Sequence, residues 1–439
     1  MKLMLAIPTY NRPEVMNWKL WNEYEYYNEY DILVYVFDSS EDDETKKVVD
    51  KYKKIINDIH YVKVDPKVHS NKKAYMIFKG EQIDEEYDYI WLCSDSIIWK
   101  ESVYKKINDN VQKDDYDIII PNYRDVEKLG TKEYTDKQEL FYDCAWHMTL
   151  YGATVLRNET ILKTADWDFL EKKYFVKERI NFSHLGMYFE TIKNMSEFRA
   201  IHLSLELGEM IPSWMRKHSG WHSEAFRLWL SYWPEFVNSL PDCYNRKNEV
   251  ILKCNENSGT FLERELVGYK RAKVLSNASF KKWKVNIKKY APNSYDLFKK
   301  VLNRPVLYYD IQNFSLRNII HTVNIFIWLR DFKKQFDKLY ISGSGEYASW
   351  ILGMCKLLNI KLSGYIKSPL DVDYELELKI GNVKELEDYT LDEKSGIILG
   401  MEFWYFKEME ARNMFESIPK HQLFSEYLFH RKGFKVYRD

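Results

Sequence analysis

Short apolar runs recur through residues 1–125, separated by stretches of helical pattern, and this alternation restricts the fold more than any other property of the chain. Lys2–Ile7 reads as a buried strand, Asp31–Phe37 as a second, His60–Val64 as a third, Tyr89–Leu92 as a fourth and Asp117–Ile120 as a fifth. Helical signals fill the gaps: a segment carrying Val15, Trp18, Leu20 and Trp21, then Glu41–Ile56, then Val103–Val111. Strands spaced by helices predict an α/β fold, a parallel sheet with helices on both faces. In such sheets ligands gather beyond the carboxyl ends of the strands. The polar clusters Thr9–Arg12, Asp38–Ser40 and Ser94–Ser96 fall at those ends, so one site can collect all three.

At 439 residues the chain exceeds what one hydrophobic core supports. A further strand at Gly152–Arg157 and an amphipathic segment after Asn181 extend the first domain, which we expect over residues 1–255. Residues 256–335 read as a helical linker region and 336–439 as a small βαβ unit. In that unit the strand Lys338–Ser342 leads through Gly343-x-Gly345-x-x-Ala348 into the helix Ser349–Leu358, the context of a dinucleotide fingerprint. The next strand, Ile360–Ile366, ends on Lys367-Ser368 and lacks the acid that a ribose requires, which points to a Rossmann-like accessory fold over a working NAD site.

A formal net charge of −1 lacks the basic excess of a dedicated nucleic-acid binder. The five cysteines are scattered and form no C-x-x-C pair, which fits a reducing compartment. The N-terminal apolar run is broken by Pro8 and no window reaches eighteen apolar residues, so a soluble or peripheral cytoplasmic protein is expected. Aromatic residues make up 16% of the chain, enough to fill a large core and to supply sugar-stacking faces.

Four stretches carry a family resemblance: Ala6-Ile7-Pro8-Thr9-Tyr10-Asn11-Arg12-Pro13, Val36-Phe37-Asp38-Ser39-Ser40, Tyr89-Ile90-Trp91-Leu92-Cys93-Ser94-Asp95 and Gly152-Ala153-Thr154-Val155-Leu156-Arg157. In this order and spacing, over roughly the first 200 residues, the chain resembles family 2 glycosyltransferases of the GT-A fold. The resemblance implies a nucleoside-diphosphate sugar donor, UDP-linked by expectation, with base and ribose against Pro8, Thr9, Tyr10, Arg12 and Asp38. Asp38 reads alternatively as a turn residue ahead of the acidic run Glu41–Glu44. Asn71-Lys72-Lys73 lies where similar enzymes touch the nucleotide, or else is a solvated basic surface; Asn71 and Lys72 are the residues assigned to the donor.

Similar enzymes hold a magnesium or manganese ion on paired acids after the fourth strand, where it bridges the diphosphate. Here the pattern is Cys93-Ser94-Asp95-Ser96, with Asp95 as the single carboxylate and Ser94 beside it on the donor. Asp95 therefore serves a metal, or orders sugar or ribose while Lys and Arg supply the positive charge. Inverting transfer needs a base beside the acceptor hydroxyl. The window for that base contains His184, which titrates near neutral pH, or packs as a structural residue. Asp166 and Asp168 are the alternative bases, and Asp143 is assigned to the donor sugar.

His218 and His222 have zinc-like spacing without an evident third ligand, and Trp214 and Trp221 are candidates to line an acceptor. Between Lys270 and Arg304 eleven Lys or Arg residues accompany one acid, Asp296. That stretch suits an anionic membrane carrying a lipid-linked acceptor, or a solvated helical face. The expected function is inverting transfer to a cell-surface glycan, lipid-linked or glycoprotein hydroxyl in polysaccharide biosynthesis, by a chain able to form a homo-oligomer. A non-catalytic binding or scaffolding module in a glycan assembly complex is the competing expectation.

Overall fold

The computed structural model describes residues 1–122, 129–175, 182–205, 209–210, 223–305, 316–342, 346–367, 383–385, 392–400 and 418–424. The chain divides into two units, Met1–Tyr309 and Asp310–Asp439.

The first unit is built on eight strands: β1 (Leu3–Thr9), β2 (Leu33–Asp38), β3 (Ile59–Lys63), β4 (Tyr89–Leu92), β6 (Ile118–Pro121), β7 (Lys132–Tyr134), β8 (Val155–Arg157) and β9 (Ala200–Leu203), with a short β5 (Ile97–Ile98) paired separately to β10 (Glu209–Met210). Their order across the sheet is β3-β2-β1-β4-β8-β6-β9-β7. β3, β2, β1 and β4 run parallel, and β6 runs parallel with β9; β8 is antiparallel to both β4 and β6, and β7 is antiparallel to β9. The expected parallel sheet is thus present with two strands reversed. β8 is reversed because the chain enters it from the strand tips, where the Ser94 amide donates to the Tyr151 carbonyl, and then runs back down beside β4.

The apolar strands bury both faces. Leu3, Leu5 and Ile7 of β1 pack with helices α1 (Pro13–Glu29), α2 (Glu44–Tyr52) and α4 (Glu101–Lys113), while Met4 and Ala6 face α3 (Ser70–Phe78), α5 (Lys137–Cys144) and α7 (Ser183–Ile192). Two-sided burial explains why β1 and β2 read as continuous apolar runs without alternation. Pro13 occupies the first turn of α1, where its missing N–H costs no hydrogen bond. The segment after Asn181, expected to be amphipathic, contains α7, which is buried on every side.

Beyond the sheet come α8 (Trp233–Ser239), α9 (Lys247–Asn257), α10 (Glu263–Arg271), α11 (Asn277–Tyr290) and α12 (Tyr295–Asn303), after the four-residue α6 (Trp167–Leu170). Of the region expected to form a linker, α10–α12 lie in the first unit. Phe226 meets Phe261, Tyr269 and Phe298 at ring centroids 5.6–6.2 Å apart, so α10–α12 share a core with the segment before α8.

The second unit opens with α13 (Leu316–Lys333), followed by β11 (Lys338–Ser342), α14 (Glu346–Leu357), β12 (Gly364–Lys367), β13 (Val383–Glu385), β14 (Ser395–Leu399) and β15 (Leu423–Phe424). Among the described residues its five strands are all parallel in the order β13-β12-β11-β14-β15, the strand order of a Rossmann-like unit. Gly400, just after β14, must lack a side chain: a Cβ there would come 2.8 Å from the Ala348 Cα of α14. Gly343 and Gly345 lie outside the described residues.

Candidate functional site at the strand tips

The tips of β1, β2 and β4 meet through side chains. Thr9, the last residue of β1, donates from Oγ1 to Asp95 Oδ2 at 2.9 Å. Arg12 Nη2 lies 2.8 Å from Asp95 Oδ1, and its Nη1 donates to Ser96 Oγ at 3.0 Å. Ser96 Oγ donates in turn to Asp95 Oδ1 at 2.9 Å. Asp95, 1% exposed, is held by three donors on two oxygens. Charge-assisted bonds of this kind are roughly twice as strong as neutral ones.

The loop after β1 is rigid. Asn11 adopts a left-handed φ of +49°, which asparagine tolerates better than most residues. Its amide donates to Ser40 Oγ at 2.8 Å, and its side-chain carbonyl accepts from the Glu41 amide at 3.1 Å. The chain therefore turns at a fixed point between β1 and α1. That turn leaves Tyr10 46% exposed and Arg12 partly exposed, with Pro8 half-buried beneath.

Asp38 is fully buried, and its oxygens are bonded within its own turn and from β3. Oδ1 accepts from the Ser40 amide at 2.8 Å and from the Ser40 hydroxyl, and Oδ2 accepts from Tyr61 OH at 2.8 Å. Of the two readings from sequence, the turn-building one describes this placement. Burial, together with the Asp38 bond, pushes the Tyr61 phenol far above its ordinary range.

Asn71 and Lys72 were assigned to the donor, but the lysine that reaches the tips is Lys73. Its Nζ donates to the Thr9 carbonyl at 2.7 Å and to Ser39 Oγ at 2.6 Å. Burial lowers its pKa to about 8, against the pull of Asp38 and Asp95; Arg12 lowers it further. Lys72, one step around α3, points to the other side and pairs with Glu171 at 2.5 Å over the Tyr75 ring. Asn71 is buried on the first turn of α3.

A buried network not foreseen from sequence braces the same turn from α1. Lys19 Nζ lies 2.7 Å from Glu23 Oε2 and donates to the Ile97 carbonyl at 2.7 Å, and Glu23 Oε1 accepts from the Trp99 amide at 2.6 Å. Both side chains are wholly buried. Burial alone would lower the Lys19 pKa; the surrounding negative charge outweighs it and raises it. Burial pushes the neighbouring Cys93 thiol up to about 11, so Glu23 is the charge that matters at neutral pH. The i, i+4 spacing of Lys19 and Glu23 was visible in the sequence, but its burial was not.

The remaining assignments fall elsewhere. His184 is buried at the start of α7, with Nε2 donating to the Met148 carbonyl at 3.1 Å and its ring edge-on to Tyr151 at 5.0 Å. Burial lowers its pKa to about 4, so it is neutral at physiological pH, and Nδ1 meets no partner among the described residues. With 1% exposure the imidazole is enclosed against an acceptor hydroxyl; it instead secures the 148–151 segment that meets Ser94.

Asp166 caps α6 by accepting from the Phe169 amide at 3.1 Å, and Asp168 is exposed on the same short helix. Both follow β8, whose end at Arg157 pairs with Tyr89 at the start of β4, so the chain emerges at the opposite end of the sheet from the tips. A pocket of about 540 Å³ there is lined by Asp166, Phe169, Glu190 and Lys193. Asp143 sits between Lys132 Nζ at 2.8 Å, Tyr134 OH at 3.2 Å and Lys253 Nζ at 3.6 Å, as a counter-ion to the two lysines. His218, His222, Trp214 and Trp221 lie outside the described residues.

A magnesium or manganese ion requires several hard oxygen ligands. Among the described residues the tips present Asp95, with three of about four acceptor sites taken, and Asp38, closed over by Ser40 and Tyr61, with two cations beside them. No group of three His, Cys, Asp or Glu residues suited to a metal occurs among the described residues. The donor set does not fit such an ion.

No family model and no curated protein matches this chain. Solved structures similar to it include residues 1–349 of S. aureus TarS in complex with UDP, 13% identical, covering 70% of this chain and 86% of that one, with a TM-score of 0.41. A second is mannosyltransferase PcManGT from Pyrobaculum calidifontis in complex with GDP-Man and Mn2+, 13% identical over 68% and 84% of the two chains, with a TM-score of 0.37. A third is glucosyl-3-phosphoglycerate synthase from Mycobacterium tuberculosis with Mn2+, UDP and phosphoglyceric acid, 11% identical over 48% and 71%, with a TM-score of 0.33.

Proposed function

We propose that this chain is a cytoplasmic glycosyltransferase that moves a sugar from a nucleoside-diphosphate donor, UDP-linked, to a hydroxyl of a cell-surface glycan, lipid-linked or glycoprotein acceptor. The observation that carries this reading is the convergence of Thr9, Arg12, Ser39, Lys73 and Asp95 at the tips of three neighbouring strands. A rigid, partly exposed arginine above a buried lysine suits a diphosphate, because charge-assisted bonds from both cations can reach its oxygens. Base and ribose would lie against the loop Pro8–Asn11, where Tyr10 offers an open ring. Transfer would be a single displacement with inversion at the anomeric carbon.

Calorimetric titration with UDP-linked sugars, followed by assays of donor hydrolysis and transfer, tests the assignment. Binding with turnover is expected, and Asp95→Ala should cut turnover on the order of 10²-fold with the fold intact, because Arg12 loses its anchor. Unchanged turnover in that variant would remove the tips from the mechanism. A second reading, a binding or scaffolding module, is favoured by one observation: the tip carboxylates each accept three bonds from the protein's own donors. Binding without any turnover in the presence of candidate acceptors is the outcome it expects.

A further inference from the structure

We infer that the nucleoside diphosphate is bound without a divalent cation, its charge met by the Arg12 guanidinium and the Lys73 ammonium; this rests on the donor reading given under Proposed function. A metal ligand must turn lone pairs toward the ion, yet Asp95 Oδ1 already accepts from Arg12 and Ser96 and Oδ2 from Thr9, which leaves about one of its four lone-pair sites. An ion there would compete with the Arg12 ion pair and stand beside its guanidinium, an arrangement that Coulomb repulsion opposes. Asp38 offers no second ligand, since Ser40 and Tyr61 close over it.

The cations, by contrast, have capacity to spare. Arg12 carries five N–H donors and the structure gives bonds for two of its nitrogens; Lys73 carries three and uses two. The carboxylates are buried inward, Asp38 fully and Asp95 to 1% exposure, whereas the Arg12 side chain keeps 20% of its surface open. The accessible face of the cluster is therefore positive, although the charges balance overall. The Asn11 bend holds Arg12 in place ahead of binding, so little ordering remains to be done when an anion arrives.

The full chain is titrated with UDP, and with GDP in parallel, in manganese and again in EDTA. Dissociation constants agreeing within about twofold are expected; a gain of about tenfold or more on adding manganese overturns the inference. Asp95→Asn separates the two models by sign. It leaves UDP binding equal or tighter if Arg12 is the partner of the diphosphate, and abolishes manganese-dependent binding if Asp95 holds the ion. Arg12→Ala should weaken UDP binding about tenfold or more in both buffers. Should that variant bind as wild type does, the inference fails. A melting curve by circular dichroism checks that both variants fold, and the wild-type comparison stands without them. No binding of either nucleotide in either buffer would sink the donor reading itself, and this inference with it.

Discussion

Lys73 is a lysine kept at 3% exposure within bonding distance of a backbone carbonyl and a serine hydroxyl, and its proton is held loosely. With a pKa near 8 instead of 10.5, it faces Asp38, Asp95 and Arg12, and burial is the dominant cause of the shift. The folded state therefore releases this proton before the unfolded chain does. The burial penalty is present in full below pH 8 and is relieved as pH climbs toward 10.5, so this group makes the free protein more stable in alkali. An anion that depends on its charge behaves oppositely. UDP affinity should fall up to about tenfold as pH rises from 7 through 9, and Lys73→Met should bind weakly with a flat profile. A wild-type profile as flat as that of the variant would exclude Lys73 from the anion site. None of this was legible from Asn71-Lys72-Lys73, because which lysine faces inward depends on the rotation of α3 against β1, a tertiary fact. Asp38 is ambiguous in a similar way: a carboxylate at a strand end looks the same in sequence whether it faces a ligand or its own turn.

Among the elements, α1 contributes most to the tips without touching the cleft itself. Lys19 and Glu23 hold the Ile97 carbonyl and the Trp99 amide, so the turn carrying Asp95 is bound at its far end by a buried ion pair. Removing one member leaves an uncompensated buried charge. Lys19→Met should lower stability by about 3–5 kcal/mol in denaturant unfolding. Lys19→Met combined with Glu23→Gln should lose clearly less, because the charge is gone and an acceptor for Trp99 remains. Equal losses would mean that the pair contributes only packing. Several strands were legible within a residue or two: apolar runs bounded by polar clusters gave β2, β4, β6 and β11 nearly as they stand. Their direction was not. Nothing in Gly152–Arg157 announces that β8 runs against β4, and that reversal carries Asp166 and Asp168 to the far end of the sheet. His184 failed for a related reason, since the apolar pattern around it did not reveal a helix buried on every side.

At the scale of the molecule, charge is balanced but unevenly spread. The chain totals −1, while α11 exposes Lys281, Lys282, Lys284, Lys288 and Lys289 around Val285, which is 75% exposed. No helix among the described residues is long and apolar enough to cross a membrane. From the exposed lysines around an exposed valine we propose that this face makes a peripheral contact with an anionic surface. Cosedimentation with phosphatidylserine vesicles should be strong at low salt and lost at high salt, and Lys281→Glu with Lys284→Glu and Lys288→Glu should abolish it. Equal binding to neutral vesicles would refute the electrostatic contact. The sheet order also has a consequence for biogenesis. β4 finds its neighbour β8 only when Val155–Arg157 has been made, and β6 waits for Ala200–Leu203 to lie alongside it. A growing chain on the ribosome can thus assemble the strands around Thr9 and Asp38 early, but it carries an unpaired edge until some two hundred residues have emerged. Translation speed and chaperone cover over that interval, more than the strength of any contact in the finished protein, would then govern its yield.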